Sequence, residues 1–180
     1  MSKKILILTV ILCLVVIGFG CAKKQTETNP GSNLTQNQMP SNNVTPAKPI
    51  NGQEIADKVN KTLDGKFPGE WAVSGTILKK GSYTENGAYQ MVTEIGNIYP
   101  GSMVSIFVGE TRISGTIKGA DGKPVLSGYP TPPDVSKTMA SGKLTVADAG
   151  AMGSSSFQKL YLPIKAGDKT IAVMTISIPQ

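Results

Sequence analysis

From residue 50 onward, apolar positions recur with helix and strand periods. Ile55, Val59 and Leu63 lie four apart while Asp57, Lys58 and Lys61 take other faces, so Gly52–Leu63 is predicted as an amphipathic helix. Gly65 and Pro68 stand beyond its end as stop signals. Trp71–Tyr83, WAVSGTILKKGSY, alternates in part and predicts a strand. A second helix is expected from an Asn86 cap, with Tyr89, Val92, Ile95 and Tyr99 on its apolar side and Pro100-Gly101 ending it. Further on, GADGKPVLSGYPTPPD reads as a turn-rich excursion with a short strand around Val125. Asp134–Ser141 suits a short helix with Val135 and Met139 inward. The remainder predicts strands: Phe157, Lys159 and Tyr161 on one side, Leu160, Leu162 and Ile164 on the other. The turn Ala166-Gly167-Asp168 then leads into a buried last strand.

Between these elements, SIFVGETRISGTIK predicts a hairpin. With Gly109-Glu110 as a two-residue turn, glycine first suits type II′, and the turn sets the register. Phe107 then faces Arg112, Ile106 faces Ile113, Ser105 faces Ser114 and Val104 faces Gly115. Alternation assigns Val104, Ile106, Ile113 and Ile117 to an apolar face. It assigns Ser105, Phe107, Arg112, Ser114 and Thr116 to a second, mixed face.

The first 49 residues follow no such pattern. MSKK precedes an apolar run, Ile5–Gly20, then Cys21. A charged start, an apolar stretch and small residues before a cleavage point describe a secretory signal. Residues 1–20 resemble a bacterial lipoprotein signal, which implies lipidation of Cys21, although Gly18 stands where that pattern usually has Leu. An uncleaved transmembrane anchor is the alternative. Residues 21–49, rich in Asn, Gln, Thr, Ser and Pro, are expected to be a disordered tether. Both alternatives place the single domain at 50–180 outside the cytoplasm and hold it at a bacterial membrane.

The net charge of +6 changes little in this picture. Lys3, Lys4, Lys23, Lys24, Lys48 and Glu27 precede residue 50, leaving +2 for the rest. The remaining lysines are scattered and Trp71 is the only tryptophan, so no nucleic-acid surface is expected. With no His, and with Cys13 and Cys21 both in the N-terminal region, His- or Cys-ligated zinc and thiol chemistry are excluded, and no calcium loop is present. No catalytic triad can be assembled. Ser156-Phe157-Gln158-Lys159 matches S-x-x-K, but in a strand those two side chains point to opposite faces. No enzyme activity, cofactor or metal is expected.

Arg112 is the sole arginine beside 17 lysines. Its planar fork holds a carboxylate with two hydrogen bonds. It lies among hydroxyls and an aromatic wall, a mixture that small-molecule sites share. Three roles stay open for it: ligand contact, pairing with a carboxylate such as Glu94 or Asp148, or exposure. Ser105, Phe107, Ser114, Thr116, Tyr129, Lys159 and Tyr161 are the other candidate ligand-binding residues, and the aromatic ones are equally suited to a plain core.

The order of elements, with YTENGAYQMV…YPGSMVSIFVGETRIS, the D-x-G-K turn with PVLSG, and GAMGSSSFQKLYLPIKAGDKTIAVMTISI, resembles single Cache extracellular sensor domains across nearly all of 50–180. The resemblance implies an α+β, PAS-like fold: a central antiparallel sheet, a long N-terminal helix, short flanking helices, and a ligand held between the sheet and the segments over one face. It also implies that Arg112 and Lys159 contact a small, carboxylate-bearing ligand. The lack of His departs from relatives that carry one near the first arginine. The chain ends at Pro179-Gln180, where such receptors continue into a second membrane helix and an output domain, so a membrane-protein partner is expected to receive any signal. A structural or interaction lipoprotein using the fold as a scaffold is the competing expectation.

Overall fold

The computed structural model describes residues 49–128, 130–152 and 155–180. The signal segment, Cys21, the tether up to residue 48 and Tyr129 lie outside them. The fold is mixed α+β, with two antiparallel sheets and three helices among the described residues.

Helix α1 (Gly52–Lys66) begins at Asn51, whose side-chain oxygen accepts a hydrogen bond from the Glu54 N–H at 3.2 Å. It buries Ile55, Ala56, Val59 and Leu63, as the four-residue spacing requires. It runs past the predicted stop and includes Gly65. Phe67, itself buried, closes it by donating its N–H to the Leu63 carbonyl at 2.8 Å.

The stretch predicted as one strand is a three-stranded meander: β1 (Trp71–Ser74), β2 (Ile77–Lys80) and β3 (Tyr83–Thr84), in the order β1-β2-β3. Two internal glycines reverse the chain, one after each of the first two strands. Helix α2 (Gln90–Ile98) follows. Asn86 does not cap it. Its side chain accepts from the Leu78 N–H and donates to the Thr76 carbonyl, both at 2.9 Å, and so holds the meander. The cap comes from Glu85, whose carboxylate accepts from the Met91 and Val92 N–H groups at 3.1 and 3.4 Å. Tyr89, expected on the apolar face, instead precedes the helix in the left-handed conformation, φ 56°.

The main sheet comprises β4 (Met103–Val108), β5 (Thr111–Gly115), β6 (Thr145–Met152), β7 (Ser155–Ala166) and β8 (Lys169–Pro179), in the order β5-β4-β8-β7-β6. Helix α3 (Pro133–Ser141) precedes β6. Of the glycine-rich stretch ahead of Phe157, residues 150–152 close β6 and residues 155–156 open β7. Around Val125 there is no regular strand. The excursion closes through Val125 N–H to the Ile117 carbonyl at 2.8 Å and a single bridge between Lys118 and Pro124.

The sheet's two faces are unequal. One carries Val104, Ile106, Leu160, Leu162, Met174 and Ile176, packed under α1, α2 and the meander. The other carries a small apolar cluster, Phe107, Tyr161 and Val173, packed under Val135 of α3. Beside that cluster the second face turns polar.

Candidate functional site

The hairpin turn forms as predicted. Val108 pairs with Thr111, and Gly109 takes φ +59°, the left-handed first position that a type II′ turn demands. Phe107 pairs with Arg112 as expected. Past that pair the register shifts: Ile106 pairs with Ser114, and Ser105 with Gly115. Ile113 is the extra residue of a bulge, so two consecutive side chains of β5 share one face. Ile113 is buried in the main core, and Ser114 is buried on that side too, donating to Glu85 at 2.5 Å. Every later residue of β5 is therefore reversed against the regular alternation.

This reversal corrects three assignments. Ser114 and Thr116 leave the mixed face. Ser114 serves Glu85, while the Thr116 hydroxyl accepts from the Val104 N–H at 3.0 Å, on the side where α2 packs. Ile117, expected in the core, lines the site instead. Gly115 now stands beside Arg112 and Ser105: a Cβ there would lie 3.3 Å from the Ser105 hydroxyl and 3.9 Å from Arg112 Cδ. The bulge thus places a residue without a side chain where the sequence reading put Ser114.

Arg112, Ser105, Phe107 and Lys159 do come together. They line a cavity of about 160 Å³ on the α3 side of the sheet. The register explains the meeting. Ser105 pairs with Thr175 of β8, and Ser177 pairs with Met103 on one side and Lys159 on the other. Thr175 and Ser177 floor the cavity, Phe157 and Ile117 wall it, and Pro132, just before α3, borders it. The Arg112 guanidinium lies over the Phe107 ring, 5.2 Å from its centroid, and donates to the Val125 carbonyl at 3.4 Å. Glu94, proposed as its partner, pairs with Lys66 at 3.0 Å, and Asp148 accepts from Gln158 at 3.5 Å. Tyr161 shares the face but is buried under α3, in the cluster with Val135. Phe107 and Tyr161 together leave the cavity open.

Burial pushes the Lys159 ammonium below its ordinary pKa, and the Arg112 charge acts in the same direction, with Asp134 opposing both. Asp134 itself is held by Lys137 at 2.9 Å. Burial, and then the Asp134 charge, raise the Tyr161 phenol. Two cations that repel each other thus share a small, half-buried space with three hydroxyls. Among the described residues no group of three His, Cys, Asp or Glu side chains is placed to hold a metal ion.

Thr175 and Ser177 were missed because β8 reads as uniformly buried. Their signal lies in Met174-Thr175-Ile176-Ser177-Ile178, a strict apolar–hydroxyl alternation that assigns both hydroxyls to one face. Glu85 carried no signal, since nothing in its neighbourhood marks a carboxylate for burial.

No protein-family model matches the chain, and a search of curated proteins finds no match.

Proposed function

We propose that this protein is a membrane-anchored, extracytoplasmic binding module of the Cache type that senses a small carboxylate-bearing molecule, with a membrane-protein partner receiving the signal. One observation carries the reading: Arg112 and Lys159 converge on one cavity whose floor is Ser105, Thr175 and Ser177. An anion there offsets the repulsion between the cations and accepts hydrogen bonds from both the fork and the hydroxyls. At about 30 Å³ per water, the cavity displaces about five waters, which suits a ligand of only a few carbons. An antiparallel sheet with an N-terminal helix on one face and the site under the segments on the other agrees with the PAS-like arrangement that the resemblance implies. The lipid anchor rests on residues 1–21.

The test is thermal unfolding of the full-length chain in detergent, against acetate, pyruvate, succinate and a panel of amino acids. Ligand that binds only the native state raises apparent stability by about 2.7 kcal/mol at one hundred times Kd. The expected result is a rise in Tm with at least one anion, lost in Arg112→Ala and in Thr175→Val. Two variants guard against a folding defect in either one. No rise with any compound, from a chain that unfolds cooperatively, makes the fold a scaffold and overturns the reading.

A further inference from the structure

A larger groove lies on the opposite side of the main sheet from the Arg112 cavity, with a volume of about 610 Å³. It runs between the C-terminal half of α1, the start of β1, and β7 around Leu162–Lys165. Its wall is Trp71, the chain's only tryptophan, which is half-buried against the core.

Lys80, which also lines the groove, packs its ammonium against the Trp71 ring. Lys80 is 4% exposed, and its ammonium lies 5.0 Å from the centre of the Trp71 ring system. The same ammonium pairs with Asp64 at 2.8 Å and donates to the Gly69 carbonyl at 2.9 Å. Two carboxylates and an amide therefore have different standing at the groove. Asp64 is engaged by Lys80, whereas Glu70 and Asn60 are exposed along the rim. The four charges of the lining, Asp64 and Glu70 against Lys80 and Lys165, cancel. A neutral lining selects neither an anion nor a cation.

The groove is also amphipathic in cross-section. Its floor is the apolar core of α1 and β7, its wall an indole, and its rim a set of amide, carboxylate and ammonium groups. A neutral ligand that fits this has one C–H face and a polar edge of adjacent donors and acceptors. A pyranose ring has that form: its axial C–H bonds stack on an aromatic face, and its vicinal hydroxyls match planar amide and carboxylate side chains. The volume falls in the range of specific small-molecule sites and accommodates about one to two rings.

We infer that the Trp71 groove is a saccharide-binding site, independent of the Arg112 cavity. Trp71 supplies the stacking face, and Asn60 and Glu70 hydrogen-bond the hydroxyls.

Because Trp71 is the only tryptophan, its fluorescence reports on this groove alone. The experiment is titration of the full-length chain in detergent with cellobiose and di-N-acetylchitobiose at millimolar concentrations. The expected result is a saturable change in emission. Asn60→Ala and Glu70→Ala, both at exposed positions that leave the core intact, each weaken binding by roughly fivefold. Arg112→Ala leaves it unchanged, so the two sites fail or succeed separately. No saturable response to either disaccharide overturns the inference. A response that persists at full affinity in both rim variants does so as well.

Discussion

Glu85 is a carboxylate with no solvent exposure, and it serves three elements at once. It accepts from Ser114 of β5 at 2.5 Å, from Tyr83 of β3 at 3.1 Å, and from two N–H groups at the start of α2. Negative charge is favourable at a helix N-terminus, and four donors satisfy both oxygens. Burial nevertheless dominates and raises its pKa above the ordinary 4.5, with the hydrogen bonds from Ser114, Met91, Tyr83 and Val92 pulling it back. The sign of its pH linkage follows. A raised native pKa means the folded state holds the proton more tightly than the unfolded chain. The contribution to stability is full below pH 4.5 and is lost as pH rises through the raised native value. This is opposite to an ion-paired carboxylate. Urea midpoints of the wild type and Glu85→Gln, compared from about pH 4 to about pH 7, isolate it. The wild type loses stability relative to the variant as pH rises; a constant gap shows that the carboxylate does not titrate in this window. Sequence reading assigned the cap to Asn86 because cap propensity is local, whereas Glu85 becomes the cap only through packing of α2 against β5.

At the scale of elements, the amphipathic periods of α1 and α3 and the alternation of β7 were legible, since one buried face sets each of them. The β5 bulge was not. It has no residue signature here, and one inserted position reverses Ser114, Thr116 and Ile117 together. Half of the candidate site survived because Phe107 and Arg112 lie on the turn side of the shift, while Ser105 and Lys159 lie on β4 and β7, which do not carry the extra residue. The meander was missed for a related reason: Gly81 looks like a strand end but is a reversal. Its φ is +57°, and an added Cβ would lie 2.1 Å from the Pro68 carbonyl oxygen. Backbone passes so close to it that no side chain fits, and the same approach holds Gly69, whose carbonyl binds the Lys80 ammonium that also contacts Trp71. Gly81→Ala therefore costs more than the roughly 1–2 kcal/mol of a left-handed alanine. Guanidinium denaturation checks the magnitude, and a loss of less than about 1 kcal/mol shows that the meander yields to the methyl group.

For the whole molecule, the two faces of the sheet differ in how much apolar surface they bury. The face under α1 and α2 carries most of the buried apolar side chains. Val59, Leu160, Met174 and Ile176 have no exposure there. The face under α3 has three buried members, Phe107, Tyr161 and Val173, packed against Val135 of the helix, and the Arg112 cavity lies beside them. That the strands carry one apolar and one mixed face was legible from the alternation. Which face stays polar was legible only through β7 and β4, because β5 misled and β8 read as uniformly apolar. The asymmetry predicts unequal local stability. Helix α3 rests on one small cluster, while β7 and β8 are interior strands of the sheet, each paired on both edges and buried on the main-core side. α3 should therefore detach while the sheet stays folded. Native-state hydrogen exchange with two substitutions decides it. Val59→Ala removes contacts only in the main core and lowers global stability by about 2 kcal/mol, roughly thirtyfold in exchange. If α3 opens by itself, this variant speeds exchange of the β8 amides and leaves the α3 amides unchanged. Val135→Ala breaks a contact that both openings lose, and speeds both sets alike. Should Val59→Ala accelerate α3 as much as β8, the helix unfolds only with the whole domain. The site beneath it is then as rigid as the core, and access for a ligand requires no movement of α3.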